Sequence, residues 1–290
     1  MILEGEMLMN QPLRVHDNEP LTLRQRRRSV GAGFMYFGIY FAVQNIVSTV
    51  YVFLFMLFGI LQNSILNFDA LLLQTMQNAV LLSGICNLLT LVVYWILFSA
   101  RHCQFSAETH LTSFRVPFLL LMIPLGLSCY TCIVCILSQL PENLLLRYTS
   151  TAENLFGSFS SPLEMICLIV LAPLAEEVVF RGLFYTRLKR GMRRAPALLL
   201  TGIFFGLMHG QLIWSAYAFV LSILLCIVLD WYDSLWASIL LHISFNAGQY
   251  VVAPFFDRID FASLFIGSVL LLVLFILLAY RVGRHVQQRS

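Results

Sequence analysis

Charge is scarce in this sequence. Only 11% of its 290 residues are charged, against about 25% in an average globular protein, whereas 59% are hydrophobic and the mean hydropathy is +0.83. This balance excludes a soluble globular fold. It indicates an all-α, polytopic membrane protein.

Other absences narrow the class further. Seven cysteines fall mostly in apolar segments and an odd number cannot all pair, so no disulfide framework is expected. Cys129, Cys132 and Cys135 have an iron–sulfur spacing, but on a continuous helix the thiols would not converge, and we interpret them as packing residues. Without fixed-period repeats or low-complexity tracts, we expect one domain at 33–290. A polar, basic segment precedes it at 1–32, and we expect no removable signal peptide there.

Crossing a bilayer takes roughly 20 apolar residues as a helix, and eight segments approach this requirement. The fifth is the shortest and is crowded with glycine. The predicted segments are 33–61, 79–99, 116–140, 162–186, 195–211, 213–230, 235–253 and 261–280.

The basic residues support eight helices with both termini in the cytoplasm. In that topology two basic residues lie outside (Arg147 and Arg258) and Arg181 lies within the membrane, while 15 of the 18 Lys and Arg residues are cytoplasmic. Such an asymmetry follows the positive-inside rule. The 15 residues are Arg14, Arg24, Arg26, Arg27, Arg28, Arg101, Arg115, Arg187, Lys189, Arg190, Arg193, Arg194, Arg281, Arg284 and Arg289.

Two polar stretches have more than one interpretation. The arginines at 24–28 adjoin a membrane span, so we expect them to contact anionic lipid, and no nucleic-acid partner is expected. The connection at 141–161 mixes apolar and charged residues. An amphipathic segment on the outer interface and a partly ordered loop both fit it.

The chemistry is expected in the second half of the chain. Glu176, Glu177 and Arg181 lie inside an apolar run, and His209 and His242 follow on later apolar runs. An ionisable group near the bilayer centre costs at least ~2.5 to 3.5 kcal/mol, so such groups are candidates for function.

The fourth segment has a clear start, with Ser161 as N-cap, Pro162 next and Glu164 completing a capping box. From this start Glu176 lies roughly 21 Å along the helix, well inside the bilayer. Pro173 removes a backbone donor one turn before the carboxylates and is expected to kink the helix there.

The two carboxylates are expected to differ in role. Glu177 and Arg181, at i and i+4, share a helix face within ion-pairing reach. Glu176 is rotated by about 100° from Glu177. We therefore expect Glu177 to neutralise Arg181 and order the site while Glu176 faces a catalytic cavity, although a purely structural ion pair also fits Glu177 and Arg181.

The later segments add histidine and amide groups. Phe205 and His209 lie one turn apart among Gly202, Gly206 and Gly210, a stripe on which another helix such as the fourth could pack closely. On the seventh segment, His242 and Asn246 share a face at i and i+4.

This set of groups suits hydrolysis. A glutamate and a histidine can activate water, and His242 with Asn246 can donate hydrogen bonds to an oxyanion. Glu176, His209 and His242 also resemble the ligands of a catalytic zinc site with an open position, although the H-E-x-x-H spacing is missing. No serine stands out beside these groups.

At these residues the chain resembles the CPBP family of intramembrane endopeptidases, also called the Abi or type II CAAX prenyl protease family. Three motifs carry the resemblance over roughly 160–250: E-E-x-x-x-R (Glu176, Glu177, Arg181), F-x-x-x-H (Phe205, His209) and H-x-x-x-N (His242, Asn246). It implies about eight helices around a membrane-embedded cavity and glutamate-dependent cleavage of a peptide bond.

The resemblance also implies roles for these residues. Glu176 and His209 would activate water, His242 and Asn246 would stabilise the oxyanion, and Glu177, Arg181 and Phe205 would support the site. Family members have been argued to be metal-dependent and metal-independent, and we expect no required cofactor, with zinc as the alternative.

We expect a membrane-associated peptide or protein as substrate and a bacterial cytoplasmic membrane as the location. Two other function classes stay open, a non-catalytic membrane scaffold or immunity protein and a transporter or proton relay. A transporter would show an inverted repeat with broken helices in both halves, and no acidic motif matches in residues 30–140.

Overall fold

The computed structural model describes residues 21–61, 74–111, 116–156 and 161–288, and in these ranges every regular element is helical. We number the helices in chain order. They are α1 (Leu23–Leu61), α2 (Ala79–Ala100), α3 (Phe105–Glu108), α4 (Val116–Leu137), α5 (Glu142–Phe156), α6 (Pro162–Ile166, Cys167–Leu171, Ala172–Glu177, Val178–Tyr185 and Thr186–Gly191 in one continuous run), α7 (Arg194–Leu207), α8 (Leu212–Tyr232), α9 (Leu235–Val251) and α10 (Phe261–Gln287), with a 3₁₀ turn at Ala253–Arg258 before α10.

The prediction of an all-α polytopic membrane protein is confirmed. Every predicted segment coincides with a helix. Within the described ranges, five helices are long and apolar enough to cross a membrane: α1, α2, α4, α8 and α10. The remaining three predicted spans are α6, which changes helical geometry along its length, the 14-residue α7 and the 17-residue α9.

The first helix starts ten residues earlier than its predicted apolar segment. A capping box explains the start, because Thr22 Oγ1 accepts from Gln25 N (3.3 Å) while Gln25 Oε1 accepts from Thr22 N (2.8 Å). The arginines at 24–28 therefore lie on α1, since arginine is a good helix former. Residues 1–20 of the predicted N-terminal segment lie outside the described residues.

Helix α6 is α-helical at both ends and in the middle, with two π-helical turns between. Its start is the predicted capping box of Ser161 and Glu164. The π turns, Cys167–Leu171 and Val178–Tyr185, flank the short α-helical piece Ala172–Glu177 that carries both glutamates and Pro173. Turns of this kind occur mostly as local bulges within α-helices, and they are frequent at functional sites.

Helices α7 and α8 form a close antiparallel hairpin. Two of the three glycines in the predicted stripe, Gly202 and Gly206, explain how closely the helices approach. A Cβ on Gly206 would lie 2.7 Å from the Ser215 carbonyl oxygen, and one on Gly202 would lie 2.9 Å from the Phe219 ring. The packing partner is thus α8, not the fourth segment. Gly210 was wrongly placed on the stripe: it lies in the turn after α7 with φ +71°, which glycine adopts without strain.

One end of the bundle carries most of the described basic residues, and we call it the basic end. It comprises residues 24–28 at the start of α1, residues 187–194 from the end of α6 to the start of α7, and Arg281 and Arg284 near the end of α10. Ser29 Oγ donates to the Arg187 carbonyl oxygen at 2.8 Å, and a Cβ on Gly283 would lie 2.7 Å from Trp231 on α8. These contacts bring the segments together.

Residues 105–111, including α3, cross the basic end as a strap. Arg187 and Glu108 form a buried ion pair, and Thr109 packs directly on Gly182 of α6. His110 accepts from Leu235 N at 2.9 Å through its carbonyl oxygen, and the Leu111 carbonyl accepts from Trp236 Nε1 at 2.9 Å. The strap thus ties α6 to the start of α9.

The polar connection at 141–161 and the three neighbouring cysteines at 129, 132 and 135 both have residues on helices. Residues 142–156 of the connection are helical, as α5, which is the amphipathic alternative rather than the loop. Cys129, Cys132 and Cys135 are buried on the continuous helix α4 as free thiols. Their burial agrees with a packing role.

Candidate active site

A cavity of about 480 Å³ lies between α2, α4, α5, α6, α7, α8 and α9. Its wall brings together five of the seven predicted site residues: Glu176, Phe205, His209, His242 and Asn246. The other two, Glu177 and Arg181, are fully buried directly behind it. Pockets of this size with a few convergent polar groups are typical binding or active sites.

Glu177 is the centre of a buried polar network. Its Oε1 accepts from Arg181 Nη1 at 2.8 Å and from His242 Nδ1 at 2.8 Å. Both carboxylate and guanidinium have no exposed side-chain surface. The i, i+4 spacing thus produced the expected ion pair, and α9 adds a histidine to it.

Arg181 is also held by an aromatic ring. Its guanidinium carbon lies 4.3 Å from the centroid of the Phe205 ring, a cation–π arrangement. The same ring lies 5.8 Å from the His242 ring. Phe205 therefore connects α7 to the charged pair on α6 and to the histidine on α9.

Glu176 differs from its neighbour in environment. Its side chain keeps 19% of its surface exposed on the cavity wall, and its Oε2 lies 3.8 Å from His242 Nε2. That distance is too long for a hydrogen bond but short enough for electrostatic attraction. Adjacent glutamates on one helix thus separate into a buried, paired carboxylate and a cavity-facing one.

The tautomers of both histidines follow from their Nδ1 partners. His209 Nδ1 lies 2.8 Å from the Phe205 carbonyl oxygen, which can only accept, so Nδ1 carries the proton. His242 Nδ1 likewise donates to the Glu177 carboxylate. In the neutral rings, Nε2 of each histidine is therefore left as an acceptor.

Asn246 is tied to α6 through a carbonyl that Pro173 leaves without a donor. In the π turn Ala172 N donates to Cys167 O, five residues back, and the next donor in that register would serve Leu168 O. Residue 173 is proline and has no N–H. Asn246 Nδ2 donates to Leu168 O instead, at 3.1 Å.

The side chains as arranged do not fit a metal site. Within the described part of the chain, no group of three His, Cys, Asp or Glu side chains converges closely enough to hold an ion. Glu176, His209 and His242 line one cavity without forming such a cluster.

Sequence reasoning missed an aromatic set farther along the cavity wall. Tyr148 of α5 lies 6.3 Å from Tyr217 of α8, ring to ring, and Tyr217 lies 6.2 Å from Phe245 of α9. Tyr130 of α4 lies 5.8 Å from Phe245, and Trp214 lies 5.6 Å from His209. These residues are distant in sequence and share no motif, so no local signal marked them.

The second half of the chain is similar to a known family of proteins. Residues 158–248 match the family model for type II CAAX prenyl endopeptidases, described as Rce1-like. The match confirms the resemblance and spans all seven predicted site residues. The Rce1-like family is a family of proteases. No curated protein and no solved structure matches the chain significantly.

Proposed function

We propose that this chain is an intramembrane, glutamate-dependent endopeptidase that hydrolyses a peptide bond of a membrane-associated protein or peptide. The observation that carries the proposal is the separation of the two glutamates. Glu177 is occupied by Arg181 and His242, whereas Glu176 is open to the cavity beside two histidines. The Rce1-like match supports a protease.

Water activation is assigned to Glu176 and His209. A water molecule between them donates one hydrogen to the Glu176 carboxylate and the other to His209 Nε2, which is the accepting nitrogen of that ring. As the water oxygen attacks the scissile carbonyl carbon, Glu176 takes up the proton. Glu176 then returns this proton to the departing amine nitrogen, so the C–N bond breaks and a carboxyl group forms.

Stabilisation of the tetrahedral oxyanion is assigned to His242 and Asn246. For His242 Nε2 to donate, the ring must carry both protons, with Nδ1–H bound to Glu177 at 2.8 Å and Nε2 lying 3.8 Å from Glu176. Asn246 has two amide hydrogens, one of which binds Leu168 O. The second is available to an oxyanion.

Arg181, Glu177 and Phe205 act through other groups. Glu177 fixes the orientation of His242, Arg181 compensates the buried charge of Glu177, and Phe205 supports both Arg181 and His209. The step requires no metal, and a metal-independent mechanism is part of the proposal. The partners proposed are a membrane-associated substrate and the lipid bilayer, in a bacterial cytoplasmic membrane with both termini cytoplasmic.

Hydrolysis in water enriched in ¹⁸O tests the reaction directly. Purified protein is incubated with a library of apolar peptides, and new termini are identified by mass spectrometry. The proposal predicts fragments with ¹⁸O in the new carboxyl group, formed by the wild type and by the exposed surface variant Glu142→Gln but not by Glu176→Gln. Equal cleavage by all three proteins would contradict it. A folded protein that cleaves nothing and binds a membrane protein would favour the scaffold alternative.

A further inference from the structure

The cavity occupies one half of the bundle. Its lining residues fall at 79–83 on α2, 130–137 on α4, 167–176 on α6, 214–221 on α8 and 242–249 on α9. In each helix this is the part remote from the basic end, with the lining of α9 starting near its midpoint. Phe205 in the last turn of α7 and His209 just after this helix also line the cavity, and both lie at the end remote from Arg194.

The short hairpin of α7 and α8 explains why the cavity lies in the half of the bundle remote from the basic end. Helix α7 has 14 residues and rises about 21 Å, whereas the helical run of α6 is about twice as long. The turn carrying His209 therefore comes beside the middle of α6, where Glu176 lies, and α5 approaches from the far side through Tyr148. The cavity lies next to this turn, on the side away from the basic end.

The basic end, by contrast, is closed by the strap and by ion pairs. Arg187 binds Glu108 of the strap. Asp230 accepts from Lys189 at 2.7 Å, from Arg194 at 2.6 Å and from Tyr185 at 2.7 Å. Phe180, Phe184 and Leu183 of α6, all fully buried, fill the interior between this layer and the cavity.

From these two halves we infer that the catalytic cavity opens to the extracytoplasmic side of the membrane and takes its substrate from the outer half of the bilayer. The basic end is the cytoplasmic end by the positive-inside rule, which places the open half outside. The inference names the substrate class of the proposed active site and rests on that proposed function. The substrate is then the outer portion of a membrane segment or an exported, membrane-bound peptide.

The chemistry of the wall fits such a substrate. Tyr130, Tyr148, Tyr217 and Phe245 provide apolar ring surface, and Ser83 and Gln249 add polar groups among them. Tyrosine rings are favoured at membrane–water interfaces, where one edge is wet. A C-terminal tail in the cytoplasm would meet the strap and the ion-pair layer instead.

Cysteine accessibility in oriented vesicles tests the inference. Gln249→Cys places a thiol on the cavity wall near the outer end of α9, and Arg190→Cys places a matched thiol on the exposed basic end. Each variant is treated with a membrane-impermeant, charged methanethiosulfonate in right-side-out and inside-out vesicles. The unsubstituted protein gives the background from native cysteines, and detergent-opened vesicles give full labelling.

The inference predicts that Gln249→Cys is labelled in right-side-out vesicles and Arg190→Cys in inside-out vesicles. The reverse pattern, or a Gln249→Cys thiol that is labelled only after detergent, would overturn it. Labelling needs no catalytic turnover, so the same pattern is expected in a Glu176→Gln background. Failure of the endopeptidase proposal is thereby distinguishable from failure of the cavity orientation.

Discussion

At the scale of single residues, the site depends on one buried carboxylate oxygen. Glu177 Oε1 accepts from both Arg181 and His242, while Glu177 Oε2 and two nitrogens of Arg181 (Nε and Nη2) lack hydrogen-bond partners among the described residues. Such a network has little redundancy. Removing the arginine leaves the buried Glu177 carboxylate with His242 as its remaining partner and without the permanent positive charge of the guanidinium.

Arg181→Ala should therefore reduce both stability and activity. We expect a loss of roughly 3 to 5 kcal/mol in the free energy of unfolding, because the fully buried carboxylate loses its ion-pair partner. Arg194→Ala is the matched control: its side chain is 52% exposed and shares Asp230 with Lys189, so about 0 to 1 kcal/mol is expected. Thermal unfolding in detergent compares the two. Equal melting temperatures would contradict the structural role of the pair.

Asn246→Ala should slow turnover more than it weakens binding. Loss of one oxyanion donor typically lowers kcat by about 10²- to 10³-fold with little change in KM. Steady-state kinetics on a cleaved peptide measures both constants. A rise in KM with kcat unchanged would instead assign Asn246 to substrate binding or to holding α9 against Leu168.

At the scale of elements, Pro173 sets the geometry of α6 beside the glutamates. The proline withdraws one backbone donor, the helix widens to a π turn, and Asn246 from α9 supplies the missing hydrogen bond. One residue thus couples the local shape of α6 to the helix that carries His242. The hairpin of α7 and α8, packed through Gly202 and Gly206, brings His209 to the same level.

Pro173→Ala should lower activity without lowering stability. The new N–H competes with Asn246 for Leu168 O, and the resulting shift of Glu176 should cost about tenfold or more in kcat, since displacements of about 1 Å can cost 10²-fold. Pro124→Ala inside α4, which does not line the cavity, is the control for removing a helical proline. Identical turnover in the two variants would show that the proline does not position the site.

Features encoded locally were the ones that could be predicted from sequence. The capping box at Ser161 and the pair of Glu177 with Arg181 depend on residues three or four apart, and both were predicted. The bonds from His242 to Glu177 and from Asn246 to Leu168 were not, because their partners lie 65 or more residues apart and only tertiary packing brings them together. The strap was not predicted either, because residues 105–111 are too few to show a hydrophobic periodicity.

At the scale of the whole molecule, the chain divides into a basic half, which the strap and ion pairs fill, and a half that contains the cavity with the reactive groups. Hydropathy and the distribution of arginine predicted the helices, and the motifs predicted which residues would meet. The position of the cavity within the bundle was not predictable, because it follows from how far the α7–α8 hairpin extends and from α5, whose structure the sequence left open.

Metal content tests the proposed mechanism for the intact protein. We expect active, purified protein to contain far less than one equivalent of zinc and to keep its activity in chelators, since its side chains form no three-residue cluster in the described part of the chain. Elemental analysis alongside the peptide assay provides the measurement. About one equivalent of zinc, lost together with activity in His242→Ala, would contradict this expectation.

The most direct test of the central claim is the turnover rate of Glu176→Gln, His209→Ala and the variant carrying both changes. If both residues act on one water molecule, each single change should lower kcat by about 10²- to 10⁴-fold, and the double variant should be little slower than the worse single one. Melting temperatures close to the wild type would show that the fold is retained. A Glu176→Gln protein with wild-type turnover would contradict the account.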